Sequence, residues 1–223
     1  MRALPAPLLV ITDRHQARYS LEAIAEMVGE GGGRWLLLRD KDLEPAARRS
    51  LAVRLAEIAR RHGMHLTVSR DVDLAAECGA SVHLQSAAAV NAARQRLGPA
   101  VLIGVSTHGL GEVAAAAAAG ADYVTLSPIF LTSSKPGYRP ALGITAIGPA
   151  ATLGISVLAL GGLTADVVSP CLRAGARGVA VMGGIMRSDN PGRTIGGLLA
   201  ACKVATVALD STSSIPRGLV RSR

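Results

Sequence analysis

Val101-Leu102-Ile103-Gly104-Val105-Ser106-Thr107-His108, an Ala-rich segment over 110–119, and then Asp122-Tyr123-Val124-Thr125-Leu126-Ser127-Pro128 form the stretch that decides the fold. Val101-Leu102-Ile103 reads as a buried strand, because it is short, continuous and apolar. Polar chemistry begins where it stops, at Gly104-Val105-Ser106-Thr107-His108. The Ala-rich segment has helical composition. A second strand over 122–127 leads into a Ser-, Pro- and Gly-containing loop that carries Thr132, Ser134 and Lys135. Polar residues gathered where strands end and loops begin are the mark of a site in a parallel α/β protein.

The same alternation extends in both directions. Upstream, Leu8–Asp13, Arg34–Leu38, Met64–Val68 and Ser81–Leu84 read as strands. Helices over about 20–29, 45–61, 71–79 and 87–97 separate them. Ser20 and Asp71 stand where N-caps belong, and Pro45 opens the second helix. Downstream, a helix from Ile144, a strand over 155–160, a helix after Thr164, a strand over 178–182 and a last helix over roughly 192–208 complete the pattern. Cys78-Gly79-Ala80, Ala119-Gly120-Ala121 and Ala174-Gly175-Ala176 each precede a strand, with the glycine placed to close the helix before it. Eight β/α units of roughly 25 residues predict one (β/α)8 TIM barrel over 1–209. An open doubly wound sheet is the alternative, because periodicity does not report closure. The Ser- and Arg-rich tail 210–223 has no apolar period and is expected to be disordered.

Composition narrows the function. Hydrophobic residues make up 49% of the 223 and aromatics only 2%, so the core must be aliphatic. The net charge of +8 favours an anionic ligand. With no basic run in the body and few rings for base stacking, nucleic acid is not expected as a partner. No apolar run reaches the roughly 18 residues of a membrane span. Cys78, Cys171 and Cys202 lie in no metal-type spacing, which suits small buried hydrophobes in a reducing cytoplasm.

Two glycine pairs follow the last two strands. Gly161-Gly162 and Met182-Gly183-Gly184 can offer backbone N–H groups to an anion, and barrels often bind phosphate at these loops. Tight turning alone would also explain them. His108, just past strand five, is a candidate acid/base group, since imidazole titrates near neutrality; a solvated or capping histidine is the other reading. His65 and His83 alternate with apolar strand residues and are expected to face the helix layer. Arg39 and Lys41 follow strand two. Lys135, with Thr132 and Ser134, suits an anionic oxygen, or else a solvated loop.

Several segments carry a family resemblance. They are Leu38-Arg39-Asp40-Lys41, Val72-Asp73-Leu74-Ala75, Val82-His83-Leu84, Gly104–His108, Gly120–Val124 and Ser127-Pro128-Ile129-Phe130 with Thr132, Ser134 and Lys135. Leu160-Gly161-Gly162-Leu163 and Gly178–Met182 complete the set. From about residue 8 to 205 the chain resembles thiamine phosphate synthase and its relative TenI, the thiazole tautomerase. The resemblance implies a (β/α)8 barrel in thiamine biosynthesis. The synthase joins a pyrimidine diphosphate to a thiazole phosphate with Mg²⁺ held by two aspartates. Here those positions fall on Arg70 and Ala88, the pyrimidine-binding glutamine on Leu37, and the asparagine before the first aspartate on Ser69. These departures remove the hard oxygen ligands that Mg²⁺ takes.

What matches is the thiazole-phosphate half, as in the tautomerase. The resemblance therefore implies proton transfer by His108 with no metal or other cofactor. It implies substrate contacts from Arg39, Lys41, Ser69, Arg70, Ser106, Thr132, Ser134 and Lys135. Phosphate would be held at Gly161, Gly162, Met182, Gly183 and Gly184. Two alternatives stand beside it: a synthase, which alone would need Mg²⁺, and a non-catalytic relative that binds thiazole phosphate or acts as a regulatory protein. Assembly as a homo-oligomer is left open.

Overall fold

The computed structural model describes residues 2–132 and 140–213, with the backbone alone for 206–213. Eight parallel strands close on themselves in chain order. They are β1 (Leu8–Ile11), β2 (Trp35–Leu38), β3 (His65–Ser69), β4 (Ser81–Leu84), β5 (Ile103–Thr107), β6 (Tyr123–Leu126), β7 (Ser156–Leu160) and β8 (Gly178–Val181). β1 pairs with both β2 and β8, which settles the barrel against the open sheet. The intervening helices are α1 (Leu21–Glu30), α2 (Pro45–Arg61), α3 (Val72–Glu77), α4 (Val90–Leu97), α5 (Leu110–Ala118), α6 (Ile147–Ala151) and α7 (Ala165–Arg173). A single turn, α8 (Gly183–Met186), and the long α9 (Pro191–Ser213) finish the chain.

Two side-chain caps act where the sequence places them. The Ser20 side chain accepts from Ala23 N, and the Asp71 side chain from Leu74 N. Thr164 occupies the N-cap position of α7 without a side-chain cap bond. α9 extends to Ser213, past the boundary expected at 209, so 210–213 are helical; 214–223 lie outside the described residues.

The core has two parts, and strand alternation assigns residues to each. Leu8, Val10, Leu36, Leu38, Val82, Val105 and Val124 point outward and pack with the helices. Leu9, Ile11, Trp35, Leu37, Tyr123, Leu158 and Ala180 point inward and fill the barrel. Two of the chain's few aromatics meet there: the rings of Trp35 and Tyr123 lie edge to face with centroids 5.0 Å apart. Such a pair contributes about 0.5–1.5 kcal/mol beyond its burial.

Two expectations are corrected here. β5 starts at Ile103, not Val101, and runs to Thr107. The Val101 carbonyl accepts instead from the guanidinium groups of Arg2 and Arg94. Gly104, Ser106 and Thr107 are thus strand residues, and His108 follows directly. The second correction is His83, which faces the barrel interior and not the helix layer. Its ring lies 5.4 Å from that of Tyr123. His65 turns inward as well, with Nε2 2.7 Å from Ser81 Oγ. In β3 and β4 the apolar residues serve the helix layer, and the polar ones fill the barrel.

Gly104 lies opposite Tyr123 in the register, and a Cβ there would overlap both the Tyr123 ring and His83 Nδ1. The three residues fit only while position 104 has no side chain. Gly104→Ala is expected to lower unfolding free energy by about 1–3 kcal/mol through overpacking, read as a lower urea midpoint at unchanged slope.

Candidate functional site

Parallel closure brings the C-terminal ends of all eight strands to one rim. Arg39, Ser69, Arg70, Ser106, His108, Gly161, Gly162, Met182, Gly183 and Gly184 all lie at or just past those ends. Lys41 follows Arg39 by two residues and is exposed; Thr132 is half-buried at the last described position of the loop after β6. Ser134 and Lys135 lie outside the described residues.

Two buried carboxylates set the β1–β2 side. Asp40, 2% exposed, accepts from Thr12 Oγ1 at 2.6 Å and from Arg14 N at 2.7 Å. Asp13 accepts from Gln16 Nε2 at 2.6 Å and pairs with Arg39 at 3.4 Å. Arg39 is therefore a positioned cation, steadied further by its backbone N–H donating to Thr12 Oγ1 at 2.9 Å. Outside them, Asp42 accepts from Arg14 and contacts His15. Those bonds hold its carboxyl well below the usual range.

On the β3–β4 side the turn Ser69-Arg70-Asp71 is fixed from below. Arg48 reaches from α2 and donates to the Ser69 carbonyl at 2.7 Å and to Asp71 at 3.0 Å. Sequence reasoning missed Arg48. Its signal is present: it lies three and four residues before Leu51 and Ala52, on the buried stripe of α2. Arg70 itself adopts a left-handed backbone, φ 70°, and its side chain donates to Gln85. Its backbone N–H donates to the His83 carbonyl at 2.9 Å.

On the β5–β6 side, Glu112 of α5 accepts from His108 twice: from the backbone N–H at 2.9 Å and through Nδ1 at 3.0 Å. One carboxylate therefore fixes both the main chain and the ring. Below it, Ser106 Oγ lies 3.0 Å from His83 Nε2. The Ser127–Pro128 peptide is cis.

The two glycine pairs turn out to differ. Gly161 and Gly162 have φ of 100° and 65°, which favour glycine. A Cβ at Gly161 would come within 2.9 Å of Pro128 Cα, and one at Gly162 would overlap the Leu131 carbonyl. This pair seats the loop after β6, with Ile129 N donating to Leu160 O at 2.8 Å and Phe130 N to Gly161 O at 3.1 Å. The close approach they permit is to their own chain.

Gly183 and Gly184 instead begin the turn α8, where the first N–H groups have no acceptor within the helix. A Cβ at Gly184 would meet open space. They border a cavity of about 410 Å³ that also takes in Arg187, Ser188, Arg193 and Thr194. Those two arginines were not singled out in the sequence, because they lie beyond the strand end, Arg187 just after α8 and Arg193 in the first turn of α9.

Comparison with known proteins follows from this geometry. Residues 8–185 match the family described as thiamine monophosphate synthase. The chain belongs to that family. It is 39% identical over 204 residues to the thiamine-phosphate synthase of Mycobacterium bovis, covering 85% of this chain and 91% of that one. It is 38% identical over 173 residues to the thiamine-phosphate synthase of Chromobacterium violaceum, covering 76% and 83%. Among solved structures it superposes on thiamine phosphate pyrophosphorylase from Pyrococcus furiosus with a TM-score of 0.77. That match is 24% identical, covers 89% and 96% of the two chains, and speaks to the fold. Membership in the family places the chain in thiamine biosynthesis.

Arg48 is the residue on which the β3 turn rests, so its removal is measurable. Arg48→Met should lower unfolding free energy by about 1–3 kcal/mol, the cost of a buried charge-assisted hydrogen bond. Arg49→Met, which removes an exposed pair with Glu77, should leave the denaturation midpoint near wild type.

Proposed function

We propose that this member of the thiamine monophosphate synthase family is a metal-independent thiazole tautomerase. Its substrate is a carboxylated dihydrothiazole phosphate, and the reaction moves one proton on the ring to give the aromatic carboxythiazole phosphate. The observation that carries the reading is the chemistry at the ends of β3 and β4. Where the synthase resemblance implies two Mg²⁺-binding aspartates, this chain has Arg70 and Ala88.

Neighbouring acids do not replace them. Asp71 is occupied as the cap of α3 and the partner of Arg48. Asp73 is 81% exposed and paired with Arg96. Among the described residues no cluster of three or more His, Cys, Asp or Glu could hold a metal ion. The residues do not fit the ion, and no step is assigned to one.

The remaining side chains suit a proton transfer. Glu112 engages His108 Nδ1, so proton exchange with the substrate falls to Nε2. The N–H groups of Gly183 and Gly184 receive the phosphate, with Arg187 and Arg193 adding positive charge around the same cavity. Arg39 and Arg70 offer forked donors to the carboxylate. Lys135, Thr132 and Ser134 belong to the same proposal as contacts from the loop after β6.

A second reading has its own support: the curated relatives at 38–39% identity are named thiamine-phosphate synthases. Parallel assays separate the two. Tautomerisation should proceed in chelator, and coupling of hydroxymethylpyrimidine diphosphate to thiazole phosphate should stay at background with Mg²⁺. Efficient Mg²⁺-dependent coupling would establish the synthase instead, and binding without either turnover would mark a non-catalytic binder.

Two variants test the residue roles. His108→Asn should slow turnover by roughly 10²–10⁴ while phosphate-dependent binding persists, since a positioned acid/base group is worth about that much. A near-wild-type kcat would remove His108 from the chemistry. Gly183→Leu should weaken affinity for thiazole phosphate about tenfold or more in titration calorimetry; unchanged affinity would move the anion site elsewhere.

A further inference from the structure

The barrel interior holds a run of polar groups that ends at the site. The Trp35 indole N–H, a donor only, reaches Thr67 Oγ1 at 2.9 Å. The Tyr123 phenol oxygen lies 3.1 Å from His83 Nδ1, and His83 Nε2 lies 3.0 Å from Ser106 Oγ. Trp35, Thr67 and Tyr123 are wholly buried and His83 nearly so, whereas Ser106 is half-exposed at the floor of the rim.

We propose that the hydrogen bonds running from Tyr123 through His83 have a single direction, set by the buried phenol, and that they present Ser106 to the ligand as a hydrogen-bond donor. The direction follows by satisfying each group in turn. The Tyr123 phenol is wholly buried, and His83 Nδ1, 3.1 Å from its oxygen, is able to accept. The phenol hydrogen, buried, then has His83 Nδ1 as its acceptor. An imidazole that accepts at Nδ1 and is neutral carries its proton on Nε2. That N–H donates to Ser106 Oγ, with Thr125 Oγ1 at 3.4 Å beside it. The Ser106 hydrogen is left to point out of the barrel, where it can meet an anionic oxygen of the ligand.

Desolvation supports the neutral form, pushing the His83 pKa down to about 4. The direction therefore persists through the physiological range. Tyr123 and His83 are positioning residues, acting through Ser106. Only the identity of the ligand rests on the tautomerase reading.

The first test needs no ligand, and the relay is intact in the protein that is read. In ¹⁵N-histidine-labelled protein, the His83 signal, assigned by its loss in His83→Asn, should be that of a neutral ring protonated on Nε2. A ring protonated on Nδ1 would overturn the proposal, because Ser106 would then have to donate inward.

The second test is a double-mutant cycle with carboxythiazole phosphate as the probe. Tyr123→Phe should weaken binding about tenfold or less, in line with a lost hydrogen bond. Ser106→Ala should weaken it similarly, and the double variant no more than Ser106→Ala alone. Additive losses would overturn a relay through Ser106. If the probe does not bind wild-type protein at all, the tautomerase reading fails while the ¹⁵N result still decides the relay.

Discussion

The ring of Tyr123 occupies the volume that any side chain at residue 104 would need. That exclusion organises the middle of the barrel. With Gly104 bare, Tyr123 can reach across to Trp35 on one side and His83 on the other. The barrel is then filled by a few large rings and several hydroxyls beside aliphatic side chains such as Leu9, Ile11, Leu37 and Leu158. Polar groups are tolerated inside because they bond to one another, Trp35 to Thr67, Tyr123 to His83 and His83 to Ser106. Among the described residues Arg48 Nε is the only buried side-chain nitrogen or oxygen without a partner.

The rim inherits its order from beneath. Arg48 fixes the Ser69 carbonyl, Asp40 fixes the Thr12 hydroxyl and the Arg14 backbone, and Glu112 fixes His108 at two atoms. These rim groups are thus held by buried or doubly bonded partners, which is how short loops gain precision. The glycines after β7 serve the same end by seating the loop that follows β6. The glycines after β8 border open space, and arginines from the following turn surround it.

Much of this was legible in the sequence. The alternation of strands and helices, the caps at Ser20 and Asp71, and the strand ends that make the rim follow from period and turn chemistry. Closure did not, because pairing of β1 with β8 leaves no local mark. The inward orientation of His83 was misread for a physical reason. In a four-residue strand such as Ser81-Val82-His83-Leu84 both faces are buried. The rule that apolar residues face the core then fits either face, and alternation alone does not say which face is the barrel interior. β5 was placed two residues early because apolar character, the cue used, precedes the strand there, while its end is made of Gly, Ser and Thr. Arg48 was missed because a charged residue on an apolar stripe reads as an exception until its buried acceptor is known.

The backbone at residue 70 carries one more consequence. A left-handed φ of 70° is unfavourable for arginine, and more readily adopted by aspartate or asparagine, whose short side chains bond locally. The turn between β3 and α3 therefore suits a short polar residue while bearing a long basic one. Shape and charge at this corner are independent of each other: Arg48 and the His83 carbonyl hold the loop's path through main-chain atoms and Asp71. The sign of the electrostatic field above β3 can be inverted by one codon without redrawing the scaffold.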